Sequence, residues 1–342
     1  MNRLTLTLSS LLVAAAGASA QGNAPANGDV WLDTSCNPIN AHGGGILKHG
    51  DTYYWYGEYK GEQTYRSPNV GWECYRTDFT GVSCYSSTDL TNWKFEGIVL
   101  SPDSTDPNSD IHPTMVVERP KVVYNDNTGK FVMWMHVDSY NYWQATAGVA
   151  VSDSPTGPFT FIEAVRPNGA ESRDMTLYKD DDGRAYLIYS SEGNATLYIS
   201  RLTDDYLKHT GVFTRNFAGE SREAPAIFKH DGHYYIITSG CSGWSPNEAA
   251  YAVADNIMGP YKLLPNPCTG IDADKTFHCQ STFALPLGDG SFLAMFDRWK
   301  KDDLVDSRYV WLPIHIDDNG LTIPWVNKWA DATDVEMLLV EE

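Results

Sequence analysis

Four polar side chains, Glu118, Asp174, Glu223 and Gln280, each stand at the start of a short apolar run, and His42 holds the corresponding place nearer the N-terminus. Three of the five are carboxylic acids. Carboxyls gathered in one place repel one another and lose solvation unless their proton affinities are driven apart. A set split in that way offers one group that donates a proton while another stays charged at the same pH. That suits general acid–base chemistry. Taken singly, each residue fits a solvated turn position bounding a strand equally well. The functional reading therefore depends on whether the chain brings them together.

The element that follows each of them is the same. After Glu223 comes Ala224-Pro225-Ala226-Ile227-Phe228, then an Asp231-Gly232 turn, then His233-Tyr234-Tyr235-Ile236-Ile237, which is the pattern of a β-hairpin. Matching hairpins follow His42 (with Tyr53-Tyr54-Trp55-Tyr56), Glu118 (with Phe131-Val132-Met133-Trp134), Asp174 (with Tyr186-Leu187-Ile188-Tyr189) and Gln280 (with Phe292-Leu293-Ala294-Met295). Successive spacings of 56, 49 and 57 residues from Glu118 to Gln280 leave room for two further strands per unit, visible as Gly148–Ser152 with Phe159–Phe161 and as Ala250–Val253 with Tyr261–Leu263. Helical periodicity is nearly absent. Four strands per unit at a period near 50 predict an all-β fold, a five-bladed β-propeller. In that fold the first strand of each blade lines the central channel, so His42, Glu118, Asp174, Glu223 and Gln280 are expected to converge at one axial face.

Met1-Asn2-Arg3, the apolar run Leu4–Ala16 and Ala18-Ser19-Ala20 read as a secretory signal peptide at 1–20. The propeller is then expected over 21–330, with 331–342 a C-terminal tail or the start of a linker, in a secreted, extracellular monomer. No later stretch has the length of uninterrupted apolar sequence that a membrane span needs. A formal charge of −19 repels phosphate backbones, which excludes nucleic acid and is compatible with a neutral polysaccharide. No cofactor is expected, and no Cys or His spacing resembles a metal site. Six cysteines in an exported chain suggest disulfides, and the short segment between Cys74 and Cys84 suggests that a hairpin joins those two. Asn194-Ala195-Thr196 is a glycosylation sequon, expected at an exposed surface if used.

The phrases Tyr85-Ser86-Ser87-Thr88-Asp89-Leu90-Thr91-Asn92-Trp93, Val151-Ser152-Asp153-Ser154-Pro155-Thr156-Gly157-Pro158-Phe159, Asp174 ahead of Asp180-Asp181-Asp182-Gly183, and Glu223-Ala224-Pro225, in that order, resemble glycoside hydrolase family 43 over nearly the whole chain. Ile39-Asn40-Ala41-His42-Gly43-Gly44-Gly45 followed by Tyr54-Trp55-Tyr56-Gly57-Glu58 looks most like the branch containing fungal exo-β-1,3-galactanases. The resemblance implies an inverting glycosidase in which Glu223 is the acid and Asp174 tunes its pKa. The family's usual base has no counterpart, because His42-Gly43-Gly44 stands where an Asp is normal. Glu118 and Gln280 are left to guide water on the opposite sugar face, about 6.5–9.5 Å from the acid. Gln280 is favoured, since Arg119 would partly neutralise Glu118 by pairing with it. His278 is a further candidate. Trp72, Tyr142, Trp143, Trp244 and Trp299 are candidates to stack on sugar faces, and Glu73 to bond sugar hydroxyls. The implied activity is exo-hydrolysis of the β-1,3-galactan backbone of arabinogalactans. The alternatives are another family 43 specificity (β-xylosidase, α-L-arabinofuranosidase or arabinanase) and a non-catalytic carbohydrate-binding propeller.

Overall fold

The run Thr52-Tyr53-Tyr54-Trp55-Tyr56 shows why the inner strands are apolar throughout. Tyr53 and Trp55 face one hydrophobic cluster, Tyr54 and Tyr56 face another, so both sides of the strand are covered. A computed structural model describes residues 24–330 except 62 and 69; the expected signal peptide at 1–20 and tail at 331–342 lie outside the described residues.

Five antiparallel sheets follow one another along the chain, giving the expected five-bladed β-propeller. Blade 1 is built from β1 (His42–His49), β2 (Thr52–Glu58), β5 (Val82–Ser87) and β6 (Lys94–Leu100), with a small excursion hairpin, β3 (Tyr65–Arg66) and β4 (Tyr75–Arg76), inserted after β2. Blade 2 comprises β7 (Val116–Asn125), β8 (Lys130–Asp138), β9 (Thr146–Ser152) and β10 (Thr160–Val165). In blade 3 the strands are β11 (Met175–Lys179), β12 (Ala185–Ser191), β13 (Thr196–Leu202) and β14 (His209–Asn216). Blade 4 runs through β15 (Arg222–His230), β16 (His233–Gly240), β17 (Ala250–Ala254) and β18 (Lys262–Leu264). Blade 5 departs from the four-strand expectation: β20 (Gln280–Pro286), β21 (Phe292–Arg298), β22 (Arg308–Asp317) and β23 (Gly320–Pro324) are joined by the short β19 (Cys268–Thr269), parallel to β23.

Five hydrophobic clusters fill the five gaps between neighbouring blades. Met133 and Val137 meet Tyr56 and Cys84 between blades 2 and 1. Trp134 meets Leu187 between blades 2 and 3, Ile188 meets Ile236 between blades 3 and 4, and Phe228 meets Phe292 between blades 4 and 5. The last gap, between blades 5 and 1, is the richest in indoles: Trp31, Trp55, Trp93 and Trp311 pack with ring centroids as close as 4.9 Å for Trp31 and Trp311.

Among the described residues no strand is shared between the first and last blades, so closure of the ring there draws on this cluster, on side-chain contacts between the two blades and on the segment before β1. There Asn27 donates from Nδ2 to the carbonyls of Trp311 (2.8 Å) and Val326 (3.0 Å), and its Oδ1 accepts from the Trp311 amide (2.8 Å). The backbone adds Asn27 N to Asn327 O at 2.7 Å. Replacing Asn27 by Ala strips partners from buried backbone groups, at about 1–3 kcal/mol in total, and is expected to lower the thermal midpoint by roughly 5 °C with activity at 25 °C kept. A midpoint unmoved within a degree would show that the Asn27 bonds do not contribute to closing the ring.

The expected Cys74–Cys84 disulfide is absent; all six cysteines are free thiols. The physical reason is the excursion. Cys74 lies beside the β3–β4 hairpin, its carbonyl accepting from the Ser67 amide, whereas Cys84 sits in the middle of β5 between Tyr56 and Gly97. Cys74 lies outside the blade 1 sheet that holds Cys84.

Candidate active site

Backbone irregularity at the mouth of the channel places the chemistry. The pairing of β7 with β8 shifts register between Glu118 and Lys121, that of β15 with β16 between Glu223 and Ala226, and that of β1 with β2 between His42 and Gly45. These are β-bulges, and within each the residue after the site residue takes a left-handed conformation: Arg119 (φ 53°), Ala224 (φ 53°) and Gly43 (φ 60°). A bulge re-aims side chains that a regular strand would send into the blade interfaces. It is why Glu118 and Arg119, adjacent in sequence, both face the same cavity.

That cavity, of about 430 Å³, is lined by Glu118, Asp174, Glu223 and Gln280, so these four expected residues converge. Trp72, Tyr142, Trp143, Trp244, Trp299 and His278 line it as well. His42 does not. It is 1% exposed, its ring stacked on Tyr309 at 4.9 Å and its Nδ1 3.3 Å from Asp297 Oδ1, holding blade 5 to blade 1. The carboxylate that blade 1 contributes comes instead from the end of its second strand. Glu58 lies so close to Gly43 that a Cβ there would stand 2.2 Å from Glu58 Oε1, so this position excludes any side chain.

The hydrogen bonds form one connected set. Arg119 does not pair with Glu118 as expected: it donates from Nε to Asp174 Oδ1 (2.7 Å) and from Nη2 to Gln280 Oε1 (2.6 Å), because its left-handed backbone turns it away from its neighbour. Its own amide donates to Glu58 Oε1 (3.0 Å). Gln280 donates from Nε2 to Glu223 Oε1 (3.1 Å) and Ser239 Oγ (3.1 Å), and its Oε1 also accepts from Trp299 Nε1 (3.1 Å). Gln280 therefore touches Glu223 directly rather than standing about 6.5–9.5 Å away. The reason is placement, since β15 and β20 are neighbouring channel strands. The other oxygen of Glu223 accepts from Asn194 Nδ2 (3.1 Å).

Glu118 is held from two other sides. Its Oε1 accepts from the Tyr142 hydroxyl (2.7 Å), and its Oε2 lies 3.2 Å from His136 Nδ1, with Asp138 Oδ2 3.0 Å beyond at Nε2. Burial works against both charges, yet the bonds to Asp138 and Glu118 raise His136 to about 9, while His136, Lys60 and Tyr142 bring Glu118 down to about 2. Lys60 pairs with Glu58 at 2.5 Å. Further along the channel, the buried Lys121 amine donates to Gly43 O (2.7 Å); burial, then the charge of Arg119, bring it down to about 7.

Glu223 goes the other way. Burial first, then the charge of Asp174, push its carboxyl up to about 8 against the opposing pull of Arg119. A group raised in this way keeps its proton below that pH and loses it as pH rises through it. Activity that needs the proton is therefore expected to fall on an alkaline limb near pH 8. Asp174→Asn removes the second largest cause and frees Arg119 toward Glu223, so the limb moves to lower pH, with an activity loss at neutral pH on the order of 10- to 100-fold. A pH–rate profile of kcat/KM reads this; an unmoved limb would mean that Asp174 does not set the proton affinity of Glu223.

Two further expectations are corrected. Glu73 does not line the cavity: its Oε2 pairs with Lys301 (2.6 Å) and its carbonyl accepts from Trp244 Nε1 (2.7 Å), tying the blade 1 excursion to blades 5 and 4. Asn194 is not a free surface residue but part of the cavity wall. Residues that sequence reasoning missed, Glu58, His136 and Ser239, share a place: each sits at or near the end of its blade's second strand, paired in register with His42, Glu118 and Glu223 respectively. Each is brought opposite its partner by the one-residue bulge, so counting back across the hairpin from its turn lands one residue beyond it.

The family model for glycosyl hydrolases family 43 matches residues 37–269. Among solved structures, a GH43 β-1,3-galactosidase bound to galactodeoxynojirimycin is 46% identical, over 89% of this chain and 99% of that one, with a TM-score of 0.83. An exo-β-1,3-galactanase from Phanerochaete chrysosporium, solved with β-1,3-galactotriose, is 38% identical over 88% of this chain and 66% of that one, TM-score 0.79. Among curated proteins, a xylan 1,3-β-xylosidase from a Vibrio species is 29% identical over 207 residues, 55% of this chain and 37% of the relative. The chain thus spans well under half the length of the first curated relatives it matches. Family match, propeller and convergent carboxyls agree, and the chain belongs to glycosyl hydrolases family 43.

Proposed function

We propose that the protein is a secreted, inverting exo-β-1,3-galactanase that removes galactose from the ends of the β-1,3-galactan backbone of arabinogalactans. The observation that carries the reading is the state of Glu223, a carboxyl kept protonated to about pH 8 by burial and by Asp174 at the wall of a sugar-sized cavity. Glu223 gives its proton to the departing glycosidic oxygen. Water attacks the anomeric carbon from the other face. Gln280 guides that water and passes on the proton it loses as its imidic tautomer, the imidic nitrogen taking the proton and the imidic hydroxyl giving one up to solvent. Glu118, whose oxygens Tyr142 and His136 occupy and whose pKa is held at about 2, is a weak base and binds sugar instead. Sugar entering between them replaces the direct Gln280–Glu223 contact. Glu118 and Tyr142 bind sugar hydroxyls, and Trp72, Trp143, Trp244 and Trp299 present ring faces and edges.

End-wise action is supported by the excursion in blade 1. Anchored by Lys301 to Glu73, by Trp244 to the Glu73 carbonyl and by the Leu304 amide to Thr64 Oγ1 (2.8 Å), it walls one side of the cavity. Substrate preference is supported by the solved relatives, one bound to β-1,3-galactotriose. The test is incubation with β-1,3-galactan, xylan and arabinan, following released sugar by proton NMR. Galactose appearing first as the α-anomer is expected. Faster release of xylose would move the assignment to the specificity of the curated xylosidases, and no release from any polymer would leave a carbohydrate-binding propeller.

A further inference from the structure

The sequon Asn194-Ala195-Thr196 lies where a glycan acceptor has no use but a proton donor does. Asn194 occupies the tight turn between β12 and β13 with φ 65°, a conformation that Asn tolerates better than most residues. Its Nδ2 donates to Glu223 Oε2 at 3.1 Å, while its Oδ1 is buried with no partner. The third residue of the sequon is locked: Thr196 is 1% exposed and donates to Glu192 Oε2 (2.6 Å). Before sugar enters, Glu223 is held by two amides, Gln280 on Oε1 and Asn194 on Oε2; once sugar displaces Gln280, Asn194 is the contact that still fixes the plane of the carboxyl and the direction in which its proton is presented.

We infer that Asn194 is a positioning residue for the proton donor, and that a glycan on this sequon and catalysis exclude each other. The inference rests on Glu223 being the acid. Glycan transfer from a lipid-diphosphate-linked oligosaccharide forms a bond from Nδ2 to the first sugar's C1, breaks the bond from C1 to the phosphate oxygen, and releases the lipid diphosphate and a proton. In the folded chain that sugar would stand in the cavity, beside Glu223. Because Thr196 is sealed in the folded chain, transfer must precede folding, and a molecule modified then cannot correct the fault later.

The test uses the full chain and two substrates, β-1,3-galactobiose, whose leaving group needs a proton, and dinitrophenyl β-galactoside, whose leaving group does not. Asn194→Ala is expected to lower kcat on galactobiose about 10- to 100-fold, in line with the loss of an orienting partner, and on the dinitrophenyl substrate by less than about threefold. Loss of an N–H from the carboxylate also moves the alkaline limb to higher pH. Asn194→Asp, which sets a negative charge against Oε2, moves it further. Equal losses on both substrates, or an unmoved limb, would reduce Asn194 to a structural residue and overturn the inference. Glu223→Gln run beside them separates the two readings: if it hydrolyses galactobiose normally, the acid assignment itself has failed. In protein secreted from yeast, molecules retained by an immobilised galactose analogue are expected to carry a bare Asn194 peptide by mass, as Thr196→Val protein does. A glycan on Asn194 in that active pool would overturn the exclusion.

Discussion

Glu223→Gln is expected to lose about 10³-fold or more of kcat on β-1,3-galactobiose while unfolding at the same temperature as the parent. The amide has the shape of the acid: Gln280 still donates to its oxygen, and a flip of the Asn194 amide lets the otherwise unpartnered Oδ1 accept from its NH2, so the backbone of the pocket has no reason to rearrange. What it lacks is a proton to give. Because the Glu223 carboxyl is already neutral below about pH 8, the amide removes no charge beside Asp174 and Arg119, and the variant should be as stable as the parent. Stopped assays on galactobiose with a parallel thermal melt are sufficient. A variant that keeps a tenth of the parent's turnover would remove Glu223 from the role of acid.

The second large effect concerns the face from which water attacks. Gln280→Ala is expected to abolish hydrolysis, about 10³-fold or more, with galactose still bound when measured by calorimetry. Glu118→Gln keeps measurable turnover, with KM raised as a sugar contact weakens. The contrast follows from the bonds: Glu118 is an ionised carboxylate already satisfied by Tyr142 and His136, whereas Gln280 links Arg119, Trp299, Ser239 and Glu223 at the centre of the set. Because Gln280 also touches the acid in the empty site, the Ala variant is assayed with dinitrophenyl β-galactoside too, where only the loss of water activation remains. Should Glu118→Gln be inactive and azide restore turnover by acting as a substitute nucleophile, Glu118 is the base and Gln280 only a brace for the acid.

The blades were legible because burial on both faces forces Tyr, Trp, Val and Ile into inner strands such as Tyr53–Tyr56 and Ile236–Ile237, and Asp-Gly or Asn-Thr turns mark where they reverse. Glu118, Asp174, Glu223 and Gln280 were legible for a related reason, that a polar residue recurs at the same place before each such run. The direction in which Arg119 points was not. A strand read as regular sends alternate residues to opposite faces, and only the bulge after Glu118 turns Arg119 into the pocket toward Asp174. Glu58 and His136 were hidden for want of register, since each lies at or near the end of a second strand whose pairing with the first shifts at a bulge. The excursion at 59–81 carries no repeat at all, so neither the tie from Glu73 to Lys301 nor the separation of Cys74 from Cys84 had a pattern to announce it.

The left-handed residues Gly43, Arg119 and Ala224 also bear on how such a pocket changes over evolutionary time. Each bulge uncouples one catalytic-face position from the alternation that fills the gaps between blades, so a substitution there need not disturb any of the five cores. Blade 1 illustrates the freedom this gives: His42 pairs inward with Asp297, and the carboxylate at that corner is Glu58 on the neighbouring strand, with Tyr53 and Trp55 packed as the ring requires. The propeller is in this sense a frame with separately editable ports at blades 1, 2 and 4, and divergence of specificity can proceed one port at a time.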